Sequence, residues 1–168
     1  ALDDRAGVAV IADVLRRIKD TDICADVYTV ATVQEEVGLR GAKTSAYSKD
    51  PDLALAVDVT DTGDTPNCEE MAVKLGGGAA VKVMDRSVLC DRNVRINLIE
   101  SAKRAGVSYQ LEVMTDGGTD AGAISGTKAG VKTGGLSIPT RYIHSPSEMV
   151  SKKDMEGAVK ILLEFIKM

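Results

Sequence analysis

Apolar residues recur along this chain in two rhythms. In residues 5–18 they fall at Val8, Ile11, Ala12, Leu15 and Ile18, the three-and-four spacing of one helix face. Residues 152–167 repeat that rhythm with Met155, Val159, Leu162, Leu163 and Ile166. Residues 93–105 read as a third helix, which Gly106 is placed to end. Residues 37–47 and the stretch DAGAISGTKAG (120–130) read as further helical segments. Between them lie short β-branched or continuously apolar runs: DVYTVATV (26–33), LALAVDV (53–59), AVKVMD (80–85), YQLEVM (109–114) and the glycine-interrupted VKTGGLSI (131–138). The run at 53–59 is too unbroken for a strand with one wet face and predicts burial on both sides. Strands alternating with helices predict an α/β fold, its largely parallel sheet covered on both faces. Such folds gather ligands at the carboxyl ends of their strands.

Composition narrows the function. The 168 residues are 44% hydrophobic, enough for one real core. A net charge of −4 gives no electrostatic case for nucleic acid or an anionic membrane as partner, and 3% aromatics leave little to stack bases on. No apolar run approaches the roughly 20 residues that span a bilayer, and no signal-peptide pattern opens the chain. Cys24, Cys68 and Cys90 are odd in number and share no C-x-x-C spacing. They read as free thiols in a reducing compartment, so the expected location is the cytoplasm.

The acids supply the candidate chemistry. Asp3 and Asp4 precede the first helix, Glu35 and Glu36 stand together where the first expected strand ends, and Asp58 sits inside a buried one. His144, the only histidine, follows the last expected strand in TRYIHSP. All can lie at one edge of a parallel sheet, where oxygen and imidazole ligands suit zinc, cobalt or manganese. Asp3 and Asp4 read equally well as helix caps. Asp58 is harder to explain away, because a charge in a buried strand needs a partner or a metal. Competing motifs fail on spacing. GLRGAKT lacks the phosphate-loop pattern, and GLSIP lacks the second glycine of a nucleophile elbow. The glycine run 76–78 reads as a bend or a close approach.

Five motifs in order, ALDDRAG, QEEVGLRGA, AVDVT…GDTP, GGTDAGAI and IPTRYIHSP, resemble the glutamyl aminopeptidase and tetrahedral-aminopeptidase family of dinuclear metallopeptidases, some of whose members carry an endoglucanase label. The resemblance implies a three-layer α/β/α sandwich of the zinc-exopeptidase kind. It implies two divalent ions, zinc or cobalt before manganese. Asp3 would bridge the ions, Glu36, Asp58 and His144 would be further ligands, and Glu35 would be the general base. Asp4 would orient or balance the site, with Asp120 and Arg141 in its surroundings. Peptides would be the substrates, and a homo-oligomer the assembly of the full-length protein.

The same resemblance implies that residues 1–168 form the C-terminal portion of the catalytic domain. An upstream segment with a histidine ligand in an H-x-D-type motif, and an inserted β domain, would be absent. The expectation is then at most one well-formed metal position and little turnover from this piece alone. Other readings stay open: a metal-dependent deacylase or carboxypeptidase, a glycosidase, or a scaffold without activity. A glycosidase needs two carboxyls about 5–10 Å apart across a sugar, which adjacent Glu35 and Glu36 do not obviously supply.

Overall fold

The computed structural model describes residues 2–168. Its elements run α1 (Arg5–Ile18), α2 (Arg40–Lys49), β1 (Leu53–Thr60), β2 (Ala79–Met84), α3 (Arg92–Ala105), β3 (Tyr109–Val113), α4 (Asp120–Ser125), β4 (Lys132–Arg141), β5 (Met149–Val150) and α5 (Lys152–Ile166). The sheet order is β1-β4-β2-β3, with β5 paired to β4. β1 and β4 are parallel, as are β2 and β3, and the two pairs meet at an antiparallel β2/β4 junction. Helices α1, α5 and α3 pack side by side as one layer, while α2 and α4 pack against each other and α4 against β1 and β4. The expected α/β architecture, with its sheet flanked by helices, is thus present.

Three elements differ from expectation. Residues 26–33 join no strand ladder among the described residues, and Tyr28, Val30 and Val33 are exposed. Their β-branched composition favours an extended chain, but a strand also needs a neighbour with free main-chain groups. The second helix starts at Arg40 rather than 37. Leu39 adopts the left-handed conformation (φ 55°), so the helix can only begin after it. The register of α1 also differs: the buried line is Ala6, Gly7, Val10, Val14 and Ile18, leaving Val8 and Leu15 exposed.

The core lies between the sheet and the three-helix layer. Val59 of β1, Val81 of β2, and Leu136 and Ile138 of β4 meet Val10, Val94, Leu98, Ile161 and Leu162 there. Because side chains alternate across a strand, the opposite face carries Asp58, Ser137 and Lys82. On that face Lys82 and Ser137 are buried and Asp58 is half-buried, and it leads to the site. Asp154 of α5 is buried as well, and accepts hydrogen bonds from Gly76 N–H (2.7 Å) and Gly78 N–H (3.0 Å). A Cβ on Gly78 would stand 2.1 Å from the Ser108 carbonyl oxygen, so the glycine run is a close approach of main chain.

Candidate metal centre

Parallel pairing of β1 and β4 sends both carboxyl ends to the same edge of the sheet. Asp58 lies near the end of β1, paired with Ser137, and His144 follows β4 in a loop closed by β5, where Thr140 pairs with Val150 and Arg141 with Met149. The start of α1 brings Asp3 and Asp4. Asp4 caps that helix, accepting the Gly7 N–H at 2.8 Å. Glu35 and Glu36 ride on a tight turn: the Glu35 carbonyl accepts Gly38 N–H (3.0 Å) and Leu39 N–H (2.9 Å), and Gly41 N–H reaches back to Val33 O at 2.9 Å. An extended chain would send adjacent side chains to opposite faces, and the turn breaks that alternation.

Three of the expected ligands converge. His144 Nε2 lies 3.0 Å from Asp3 Oδ2 and 3.4 Å from Glu36 Oε1. One donor atom from each of Asp3, Glu36 and His144 falls within 4.8 Å of the others. The side chain of Asp3 is 13% exposed, against 60% for Glu36 and 64% for His144, so the cluster is open to solvent on one side. Asp58, also expected as a ligand, is not one of the three. Its Oδ1 accepts the Val59 N–H at 2.8 Å, and it feels the charges of Asp4, Glu35 and Asp3.

The electrostatics show a site rich in negative charge. Desolvation, then the charges of Asp4, Glu35 and Asp3, pushes Asp58 up to about 8. Desolvation lifts Asp4 to about 7, with Asp3, Asp120 and Glu35 adding to the rise. Glu35 is likewise raised to about 7, by desolvation and then by Asp120, Glu36 and Asp3. Asp3 is raised by burial and by Glu36, partly offset by His144. Carboxylates in this condition gain from a cation among them. The oxygen and imidazole donors present fit a divalent ion such as zinc, cobalt or manganese.

Stability of the metal-free protein should therefore depend on pH in the less usual direction. For Asp4, Glu35 and Asp58 the folded state holds its protons more tightly than the unfolded chain. Their stabilisation is complete below about pH 4 and is lost as pH rises through about 7 to 8. The melting temperature without metal is expected to fall from pH 6 to pH 8.5. Zinc or cobalt should abolish or reverse that slope, and a metal-free melting temperature rising over this range would contradict the charge balance described here.

Two further expected residues lie at the margin. Asp120 opens α4 and accepts the Thr32 hydroxyl at 2.6 Å, while its other oxygen is buried without a partner among the described residues. Arg141 turns to Asp64 instead of the cluster, through Nε at 3.0 Å and Nη2 at 2.8 Å. Asp64 also accepts the Leu75 N–H at 3.1 Å, so the pair fastens the 61–75 loop to the end of β4. Arg141 holds the Asp64 carboxyl well below the usual range.

Sequence reasoning overlooked Glu148. This carboxylate accepts the Leu2 N–H, the Asp3 N–H at 3.2 Å and the His144 N–H at 3.1 Å. It also overlooked Asp61, raised by burial, with His144 pulling the other way. Only position hinted at either: Glu148 comes four residues after the histidine, and Asp61 three after Asp58.

An α/β sheet with carboxylates and an imidazole gathered at its carboxyl edge offers the donor types of a divalent-metal site where such folds gather ligands. Residues 1–161 match the model of the M42 glutamyl aminopeptidase family, and the chain belongs to that family. It is 55% identical over 166 residues to a protein of Acetivibrio thermocellus named "Putative aminopeptidase", covering 99% of this chain and 50% of the relative. Among solved structures it is similar to aminopeptidase APDkam598 of the archaeon Desulfurococcus kamchatkensis, with a TM-score of 0.95 and 44% identity over 99% of this chain and 47% of the other. It is also similar to the Pyrococcus horikoshii TET1 peptidase, described as assembling into a tetrahedron or a large octahedral shell. That match has a TM-score of 0.86 and 34% identity, and covers 98% of this chain and 48% of the other. The chain spans about half the length of the curated relatives it matches.

Proposed function

We propose that this chain carries the ligand-rich part of a metal-dependent aminopeptidase that removes N-terminal residues from peptides. The observation that supports this most is the convergence of Asp3, Glu36 and His144 on one point, in a chain of the M42 glutamyl aminopeptidase family. In this reading Asp3, Glu36 and His144, together with Asp58, would hold the divalent metal. Bound divalent cations would supply Lewis acidity and lower the pKa of water at the site. Glu35 is the general base. It takes a proton from the attacking water and returns it to the departing amine. A carboxyl raised to about 7 suits that double task near neutral pH. Asp4 fixes the start of α1, and with it the main chain next to Asp3.

The proposed form is a homo-oligomer, as the TET1 peptidase is described to be, and the proposed location is the cytoplasm. Among the described residues, no helix is long and apolar enough to cross a membrane.

The test compares aminoacyl-anilides with N-acylated amino acids, with and without chelator. In the full-length protein, anilide hydrolysis is expected to vanish on chelation and to return with zinc or cobalt, while residues 1–168 alone should turn over little. Hydrolysis of the N-acylated substrates in its place would indicate a deacylase. Chelator-resistant turnover would overturn the metal reading.

A further inference from the structure

His144 belongs to the short connection between β4 and β5, and Glu148 is the last residue of that connection before β5 begins. The β4/β5 pairing of Thr140 with Val150 and Arg141 with Met149 anchors its base. Within the loop, Tyr142 and His144 both take positive φ values of 59°, which side-chain-bearing residues adopt only when their surroundings hold them. The Ser145 hydroxyl donates to the Tyr142 carbonyl at 2.5 Å, and Ser147 N–H donates to Ser145 Oγ at 3.2 Å. Glu148 completes this network. One of its oxygens accepts the His144 N–H, and the other accepts the N–H groups of Leu2 and Asp3, from a segment at the far end of the sequence. A single carboxylate thus ties together the main chains of two residues whose side chains meet at 3.0 Å.

We propose that Glu148 is a positioning residue for the metal centre: its carboxylate sets the Asp3 and His144 main chains at the separation that lets their side chains share one cation. The inference rests on the metal reading above. Glu148 itself stays out of the ligand set. It acts through the N–H groups at the Cα atoms of two ligands, a role that outer partners of metal ligands commonly fill through hydrogen bonds. Hydrogen bonds from N–H to a charged carboxylate are among the stronger ones available for fixing a loop.

The experiment measures cobalt(II) affinity by chelator competition in wild type, Glu148→Ala and Glu148→Gln, each first checked for folding by circular dichroism. The Ala variant is expected to bind cobalt about 10- to 100-fold more weakly. The Gln variant keeps a carbonyl acceptor and should recover part of that loss. A residue that merely stapled the loop would lower the metal-free melting temperature without changing cobalt affinity in the folded protein. Hydrogen exchange on metal-free wild type gives a readout independent of any variant: the Asp3 and His144 amides should be protected. Unchanged cobalt affinity in the folded Ala variant, or unprotected amides in wild type, would overturn the positioning role alone. Failure of wild type to bind cobalt would overturn both this role and the metal reading.

Discussion

In the full-length form of the proposed aminopeptidase, Glu35→Gln should lower turnover by about 10²- to 10⁴-fold, the usual worth of a general base, while metal content stays at the wild-type level. Gln keeps the shape and hydrogen-bonding reach of the carboxylate but cannot take up a proton. Glu36→Gln should behave differently. Glu36 Oε1 is one of the donors gathered around His144 Nε2, so its loss should lower metal affinity first and activity as a consequence. The two acids are neighbours in sequence, and the pair of variants separates them by readout. Metal analysis together with single-turnover kinetics is the measurement. If Glu35→Gln lost the metal and Glu36→Gln kept it, the two roles would have to be exchanged.

The second large effect concerns stability. Lys82 is fully buried on β2, hydrogen-bonded to Glu112 of β3 and 3.6 Å from Asp85. Glu112 also accepts the Thr60 hydroxyl at 3.0 Å. Asp85 accepts the Thr119 hydroxyl (3.0 Å), the Ser87 hydroxyl (2.7 Å) and the Ser87 and Val88 N–H groups (2.8 and 3.0 Å). One ammonium therefore serves two buried carboxylates. Removing it leaves like charges close together in a poorly solvated place. Lys82→Met should cost about 3–5 kcal/mol, typical of breaking a buried ion pair on one side. The double variant Lys82→Met/Glu112→Gln should recover part of that loss. Urea denaturation at pH 7 measures both, and a loss below about 1 kcal/mol would show that the charges are better solvated than their burial indicates. The network has a steric requirement too: a Cβ on Gly135 would sit 2.9 Å from Lys82 Cβ, so the glycine leaves the lysine its room.

Much of this was legible in the sequence. The periodicity of α3 and α5 marked both helices, and the apolar run around Asp58 marked a strand, though much of it is half-buried rather than covered on both faces. Candidate ligands were visible as residue types, and five ordered motifs supplied the family. Other features depend on neighbours that no local pattern names. Residues 26–33 have strand composition, yet no ladder forms there, because pairing is a property of two segments. Lys82 and Glu112 alternate with apolar residues as though facing water, and only the packing of the sheet shows them buried. Glu148 acts on main-chain N–H groups, which every residue except proline possesses, so no side-chain pattern could point to its partners.

The antiparallel junction and the parallel β1/β4 pair also govern when the site can come into being. β1 gains its partner only after β4 has been made, and His144 follows β4 in the chain. During synthesis, at about 5–20 residues per second, the acids from Asp3 to Asp58 would wait roughly 4–30 s before the histidine emerges. Of the four residues proposed to hold metal, His144 is made last, so the proposed set is complete only once residue 144 has been translated.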